Sequence, residues 1–219
     1  MLSRVREKLG VRGDDPGRRG VVHSRLHAHA ANLIPERAQR PKAELLHLFQ
    51  TALEKGGAKT IRLQTLEDIP EAVASALRDH NLASRIRVGN DPIFDGLRAQ
   101  PGVIEVLSGP ADPADAVTLS HAFAGAAETG TLFLKSGPDN PSTLNFMPEH
   151  HFVVILAADI QGSYEECLAK LREVLGDRGM PRTVNLISGP SRTADIEQTI
   201  VMGAHGPKNL VAFIVGAGA

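Results

Sequence analysis

The 219-residue chain holds one cysteine (Cys167), one tyrosine and no tryptophan, and aromatic residues make up only 4% of it. A lone thiol excludes internal disulfides and any all-cysteine zinc or iron–sulfur site within the chain. The scarcity of rings argues against carbohydrate clefts and base-stacking platforms. No apolar run approaches the roughly 18 residues of a membrane span. The first residues, MLSRVREKLGVRGDD, lack the apolar segment of a secretory signal, so the expected location is the cytoplasm. What is present suits a packed body. Apolar residues reach 42% and charged ones 22%, over a length that fits one domain or one domain plus an arm.

Charge is unevenly spread. Residues 1–42 carry ten Lys/Arg against four acids, a balance of +6, while the whole chain is at −1. Residues 1–41 read as a basic N-terminal arm, partly helical or mobile, and residues 42–219 as an acidic α/β domain. With no aromatic and no recognition motif, the arm is not expected to bind nucleic acid. It holds His23, His27 and His29, and the first two would lie one turn apart on a helix. Glycines 10, 13, 17 and 20 and Pro16 are expected to break any long helix, and no metal site is expected.

Beyond Lys42 the pattern becomes regular. Leu45, Leu46, Phe49 and Leu53 recur at helical spacing, and Gly56-Gly57 closes the run. A strand (Lys59–Leu63), a helix (Glu67–Asn81), a strand (Arg85–Val88), a short helix (Pro92–Ala99) and a strand (Val103–Leu107) follow. Further strands are predicted at Ala116–Ala122, Thr131–Lys135, Phe152–Ala157, Val184–Ile187 and Leu210–Val215, eight in all. Helices are predicted at Glu165–Leu175 and near Ala194–Met202. This rhythm predicts an α/β fold with a mostly parallel open sheet flanked by helices.

Ser-Gly-Pro occurs three times, at 108–110, 136–138 and 188–190, each after a strand-like run. Glycine permits close backbone approach and proline then fixes φ. Two such turns, if neighbours, would line one crevice beyond the strand ends. The third copy continues Ser191-Arg192-Thr193-Ala194-Asp195. Backbone N–H groups at a helix start, two hydroxyls and a guanidinium suit an anionic ligand. Equally, Thr193 or Asp195 would simply cap that helix. Glu128, between small residues in AAETGT, would be an acid, base or nucleophile if buried, and otherwise an exposed turn residue. His150 and His151 before one strand, and His205 with Lys208 before another, offer imidazoles near neutrality, each with a structural role as the simpler alternative.

The segment SGPSRTADIEQTIVMGAHGPKNL (188–210) closely resembles the signature of the LUD-domain family, of the lactate-utilisation protein C type. AAETGT (126–131) and PEHHFVV (148–154) fall where that family has its other characteristic stretches, and the resemblance spans roughly residues 42–215. It implies a fold similar to the CoA-transferase, ribose-5-phosphate isomerase and formyltetrahydrofolate cyclo-ligase superfamily. It also implies a place in a bacterial system that oxidises L-lactate to pyruvate with iron–sulfur partner proteins. Some family members carry a cysteine-rich segment. This chain has none, so clusters would belong to the partners and no cofactor to this chain.

Two readings stay open. One is a non-cluster subunit of such a system, with a small anionic ligand or a partner held by its crevice loops. The other is a free-standing enzyme or binding protein for an acyl, phosphorylated or carboxylate metabolite. There Glu128 would do the chemistry, and Thr129, Ser188, Gly189, Ser191, Arg192, Thr193, His205 and Lys208 would hold the ligand.

Overall fold

The computed structural model describes residues 2–100, 102–176, 179–196 and 199–216. The chain forms two compact units, Met1–Leu33 and Ile34–Ala219. The first consists of two helices, α1 (Leu2–Lys8) and α2 (Pro16–Ala28), neither of which buries a residue. The Asp15 carboxylate caps α2 by accepting from Gly17 N at 2.8 Å and Arg18 N at 3.2 Å, and Pro16 supplies a preset φ. That cap carries a 13-residue helix through Gly17 and Gly20, which were expected to break it. His23 and His27 stand one turn apart with ring centroids at 4.2 Å. Among the described residues, no group of three or more His, Cys, Asp or Glu side chains is placed to hold a metal, and no helix is long and apolar enough to cross a membrane.

The second unit opens with a 3-10 turn at Glu36–Ala38, whose Ala38 is buried. In chain order come α3 (Lys42–Lys55), β1 (Lys59–Leu63), α4 (Ile69–Asp79), β2 (Arg85–Val88), α5 (Asp95–Arg98), β3 (Glu105–Ser108), β4 (Val117–Ala122), β5 (Ala124–Ala126), β6 (Thr131–Lys135), β7 (His150–Leu156) and β8 (Ile160–Gln161). Then follow α6 (Tyr164–Leu175), β9 (Val184–Ile187), β10 (Arg192–Ile196), β11 (Thr199–Met202) and β12 (Asn209–Val215).

Six strands form a fully parallel sheet in the order β1-β12-β7-β4-β2-β3. β7 is at its centre and reads as a continuous apolar run because both of its faces are covered. Phe152 and Val154 face a core shared with Val73 and Leu77 of α4 and Leu97 of α5. Val153 and Ile155 face the opposite core, filled by Leu45, Phe49 and Leu53 of α3 and by Leu132 and Leu134 of β6. Phe152 and Phe213 meet edge to face at 5.8 Å within the first core. From β2 the chain passes outward to β3. After β4 the sheet grows the other way, to β7 and β12, so the connections diverge between β2 and β4.

A second sheet, β8-β5-β6-β9, combines antiparallel and parallel pairs and was not foreseen as a separate layer. Its outer face carries α6, whose Cys167 and Leu171 pack on Phe123, Ala124 and Phe133. Ser163 caps α6 in a reciprocal box with Glu166.

The helix expected near Ala194–Met202 does not form. Instead β10 and β11 pair antiparallel, with Arg192 opposite Met202 and Ile196 opposite Thr199. Thr193, Ile196, Thr199, Ile200 and Val201 are all β-branched, which penalises helix and favours a strand. With no helix, the capping roles of Thr193 and Asp195 and the helix-start anion site both fall away. Glu197 and Gln198 lie outside the described residues.

Candidate functional site

The first two Ser-Gly-Pro turns gather around the end of β2. Gly109 N donates to the Val88 carbonyl at 2.9 Å, and Asn90 N to the Pro138 carbonyl at 3.2 Å. The third turn lies elsewhere, on the end of α3. A Cβ on Gly56 would stand 2.2 Å from the Ser188 carbonyl oxygen, so only glycine permits this approach.

Ser188 Oγ reaches Thr131 Oγ1 at 2.7 Å, and Thr131 Oγ1 also meets Thr129 Oγ1 and Tyr164 OH, each at 2.7 Å. One hydroxyl hydrogen and two lone pairs account for three partners, so the buried Thr131 hydroxyl is saturated. Ser191 is pinned by the segment before β12. Its N–H donates to the Pro207 carbonyl at 2.8 Å, its carbonyl accepts from Gly203 N at 2.9 Å, and its Oγ accepts from His205 N at 3.4 Å.

These contacts leave a cleft of about 210 Å³ with Ser188, Gly189, Ser191 and His205 among its lining, and Asn145 and His151 beneath. His151 and Asn145 are 1% and 0% exposed. Ser120 Oγ donates to Asn145 Oδ1 at 3.0 Å, so it accepts from His151 Nε2–H at 3.1 Å. That relay fixes the tautomer. His151 Nδ1 becomes a lone-pair acceptor and Asn145 Nδ2 a donor, and neither has a protein partner. Burial pushes the His151 imidazole down to about 3, so it does not titrate near neutrality. Burial, with His80 nearby, also lowers His150.

Four of the nine residues expected at the site therefore meet in this cleft, and five do not line it. Glu128 Oε1 accepts from Tyr164 N at 2.9 Å at the start of α6, where a carboxylate suits the helix dipole. Arg192 is exposed and drapes over Gly57, where a Cβ would meet its Nη2 at 1.9 Å. Thr193 stands opposite Val201 in the β10–β11 pair. Thr129 belongs to the hydroxyl cluster, one step from Ser188. Lys208 forms an exposed ion pair with Glu149 at 3.0 Å. Asn145 and Ser120 had no signal in the sequence. For His151 the signal was the period of two in β7, which puts it on the face of Val153 and Ile155.

The helix-end role of Glu128 makes a direct prediction. Glu128→Ala is expected to cost about 1 kcal/mol in urea unfolding, and Glu128→Gln, which keeps an accepting oxygen, less. A catalytic carboxylate would instead leave stability untouched in both.

The family model of the LUD domain matches residues 46–215. The chain belongs to the LUD-domain family. The match begins inside α3 and ends with β12, so the cleft and the whole parallel sheet lie within the LUD domain, and α1 and α2 lie outside it. An uncharacterized protein of Neisseria meningitidis serogroup B is 33% identical over 174 residues, 80% of this chain and 68% of that one. Lactate utilization protein C of Deinococcus radiodurans is 31% identical over 211 residues, 90% of this chain and 91% of that one. The crystal structure of a DUF162 family protein from Deinococcus radiodurans superposes with a TM-score of 0.62 at 23% identity, covering 81% of this chain and 99% of that one. That superposition shows the α/β fold.

Proposed function

We propose that the chain is the non-cluster component of a bacterial L-lactate utilisation system, working with iron–sulfur partner proteins in the oxidation of L-lactate to pyruvate. The observation that carries this reading is the near end-to-end match with a Lactate utilization protein C. The single thiol supports the division of labour. Cys167 is buried between α6 and the small sheet, and burial, with Glu166 adding to it, pushes the thiol up to about 12. Such a thiol serves packing, which agrees with placing the electron-carrying clusters on the partners.

In this reading the cleft over His151 holds a small anionic ligand. Asn145 Nδ2 and the Ser188 and Ser191 hydroxyls offer donors, and His151 Nδ1 accepts a ligand hydrogen. The competing reading, a free-standing enzyme built on Glu128, is weakened because that carboxylate is committed to the start of α6.

Two measurements test the proposal together. Deleting the gene is expected to abolish growth on L-lactate, with growth restored by the full chain. Purification of a C-terminally tagged chain from its host is expected to recover cysteine-rich, iron-containing proteins and lactate oxidation. Unchanged growth on lactate, with an iron-free chain recovered alone, would overturn it.

A further inference from the structure

The carboxyl ends of β2 and β4 frame a second hollow, of about 170 Å³, separate from the cleft over His151. It lies where the connections of the parallel sheet diverge, the position at which open α/β sheets hold ligands. Asp91 follows β2, and His121 is the penultimate residue of β4. The His121 Nδ1–Asp91 Oδ2 distance is 2.9 Å.

A carboxylate only accepts, so Nδ1 carries a proton, and in the neutral form of the ring the lone pair lies at Nε2. That Nε2 is buried and has no protein partner. Burial opposes the charge on Asp91, but hydrogen bonds from His121 and from Ile93 N outweigh it and hold the carboxyl below its ordinary value. Asn140, 5% exposed, borders the same hollow with its Oδ1 unpartnered. Lys135, half-buried at the end of β6, supplies positive charge there and favours the ionised Asp91.

The hollow is built rather than incidental. A Cβ on Gly89 would stand 1.8 Å from the Asp139 carbonyl oxygen, so the second Ser-Gly-Pro turn is locked against the loop after β2. Arg98 ties that loop down by donating to the carbonyls of Asp91, at 3.1 Å, and Gly89.

Two buried acceptors lack hydrogens, and the Lys135 ammonium adds positive charge beside them. We propose that this hollow binds a small hydroxylated carboxylate. The ligand hydroxyl donates to His121 Nε2, and its carboxylate pairs with Lys135. A second hydroxyl satisfies Asn140 Oδ1, so a dihydroxy acid fits better than a monohydroxy one. The argument stands on these residues alone and does not depend on the lactate reading.

The test is an NMR titration of the full chain, following the histidine imidazole signals as sodium glycerate, L-lactate or propionate is added. His121 is expected to shift saturably, tightest with glycerate, and propionate, with no hydroxyl, is expected to bind about tenfold more weakly or less. Asp91→Asn keeps an oxygen for Ile93 N but donates to Nδ1, which moves the ring proton to Nε2 and removes the acceptor. It is expected to weaken glycerate about tenfold and propionate little. Lys135→Gln is expected to weaken all three alike. No saturable shift at His121, equal affinity for glycerate and propionate, or shifts confined to His151 and His205 would each overturn the proposal.

Discussion

Gly130→Ala is expected to be among the most damaging single substitutions in the chain. Gly130 sits in the turn between β5 and β6 at φ +64, in the left-handed region that side chains resist. A Cβ there would stand 2.3 Å from Leu53 N and 2.7 Å from the Ala52 carbonyl carbon. Those are backbone atoms of α3, and Leu53 is fully buried, so the helix cannot yield without opening the core it shares with β7. Backbone strain and overpacking together should cost about 2–5 kcal/mol. The hydroxyl cluster of Thr129, Thr131, Tyr164 and Ser188 straddles this turn, so the third Ser-Gly-Pro loop should loosen with it. Gly96→Ala is the control. Gly96 lies in α5 with nothing within 4 Å of a built Cβ, so alanine should be neutral or stabilising by up to about 1 kcal/mol. Urea midpoints of the two variants decide the matter. Similar midpoints would mean that α3 does not pack this closely on the turn.

That turn also marks where the sequence stops being readable. β1, β2, β6 and β9 have the bounds that the residue pattern predicts, and α3 ends at the predicted breaker Gly56-Gly57, because each carries its own apolar periodicity. β5 and β8, three and two residues long, are too short to show a period, and they pair only because the small sheet assembles around them. Where the sequence suggests a helix near Ala194–Met202 capped by Thr193 or Asp195, the β-branched composition of the segment prevails and two strands form. Sites fared worse than elements. Four cleft residues were found because two loop segments, 188–191 and 203–207, are both distinctive and pinned together. Ser120 and Asn145 lie 25 residues apart, and Asp91 and His121 lie 30 apart, in segments with no motif. Only the order of strands in the parallel sheet unites them, and local pattern does not encode strand order.

The buried relay under the cleft has a consequence for acid stability, carried by His151. Its ordinary imidazole value is 6.5, and burial lowers it to about 3 in the folded chain. Between those two values the unfolded chain binds a proton that the folded chain refuses. The stabilisation is therefore fully present above about pH 6.5 and drains away as pH falls toward 3, with a limiting slope of about 1.4 kcal/mol per pH unit. Asp91 and Asp115, whose carboxyls are held below their ordinary values, also lose stabilisation on acidification, through a lower pH range. A comparison of variants separates these contributions. His151→Gln places an amide N–H near the position of Nε2, keeps the donor to Ser120 Oγ, and cannot titrate. Its neutral-pH stability should drop by about 1–3 kcal/mol for the altered fit. Below pH 6 the native chain should lose stability more steeply than His151→Gln, so the gap between their urea midpoints narrows or closes by about pH 4. The carboxylates act in both chains and cancel from that difference. Parallel pH profiles would mean that His151 takes up its proton as readily in the folded chain as in the unfolded one, so that burial does not hold it neutral on acidification.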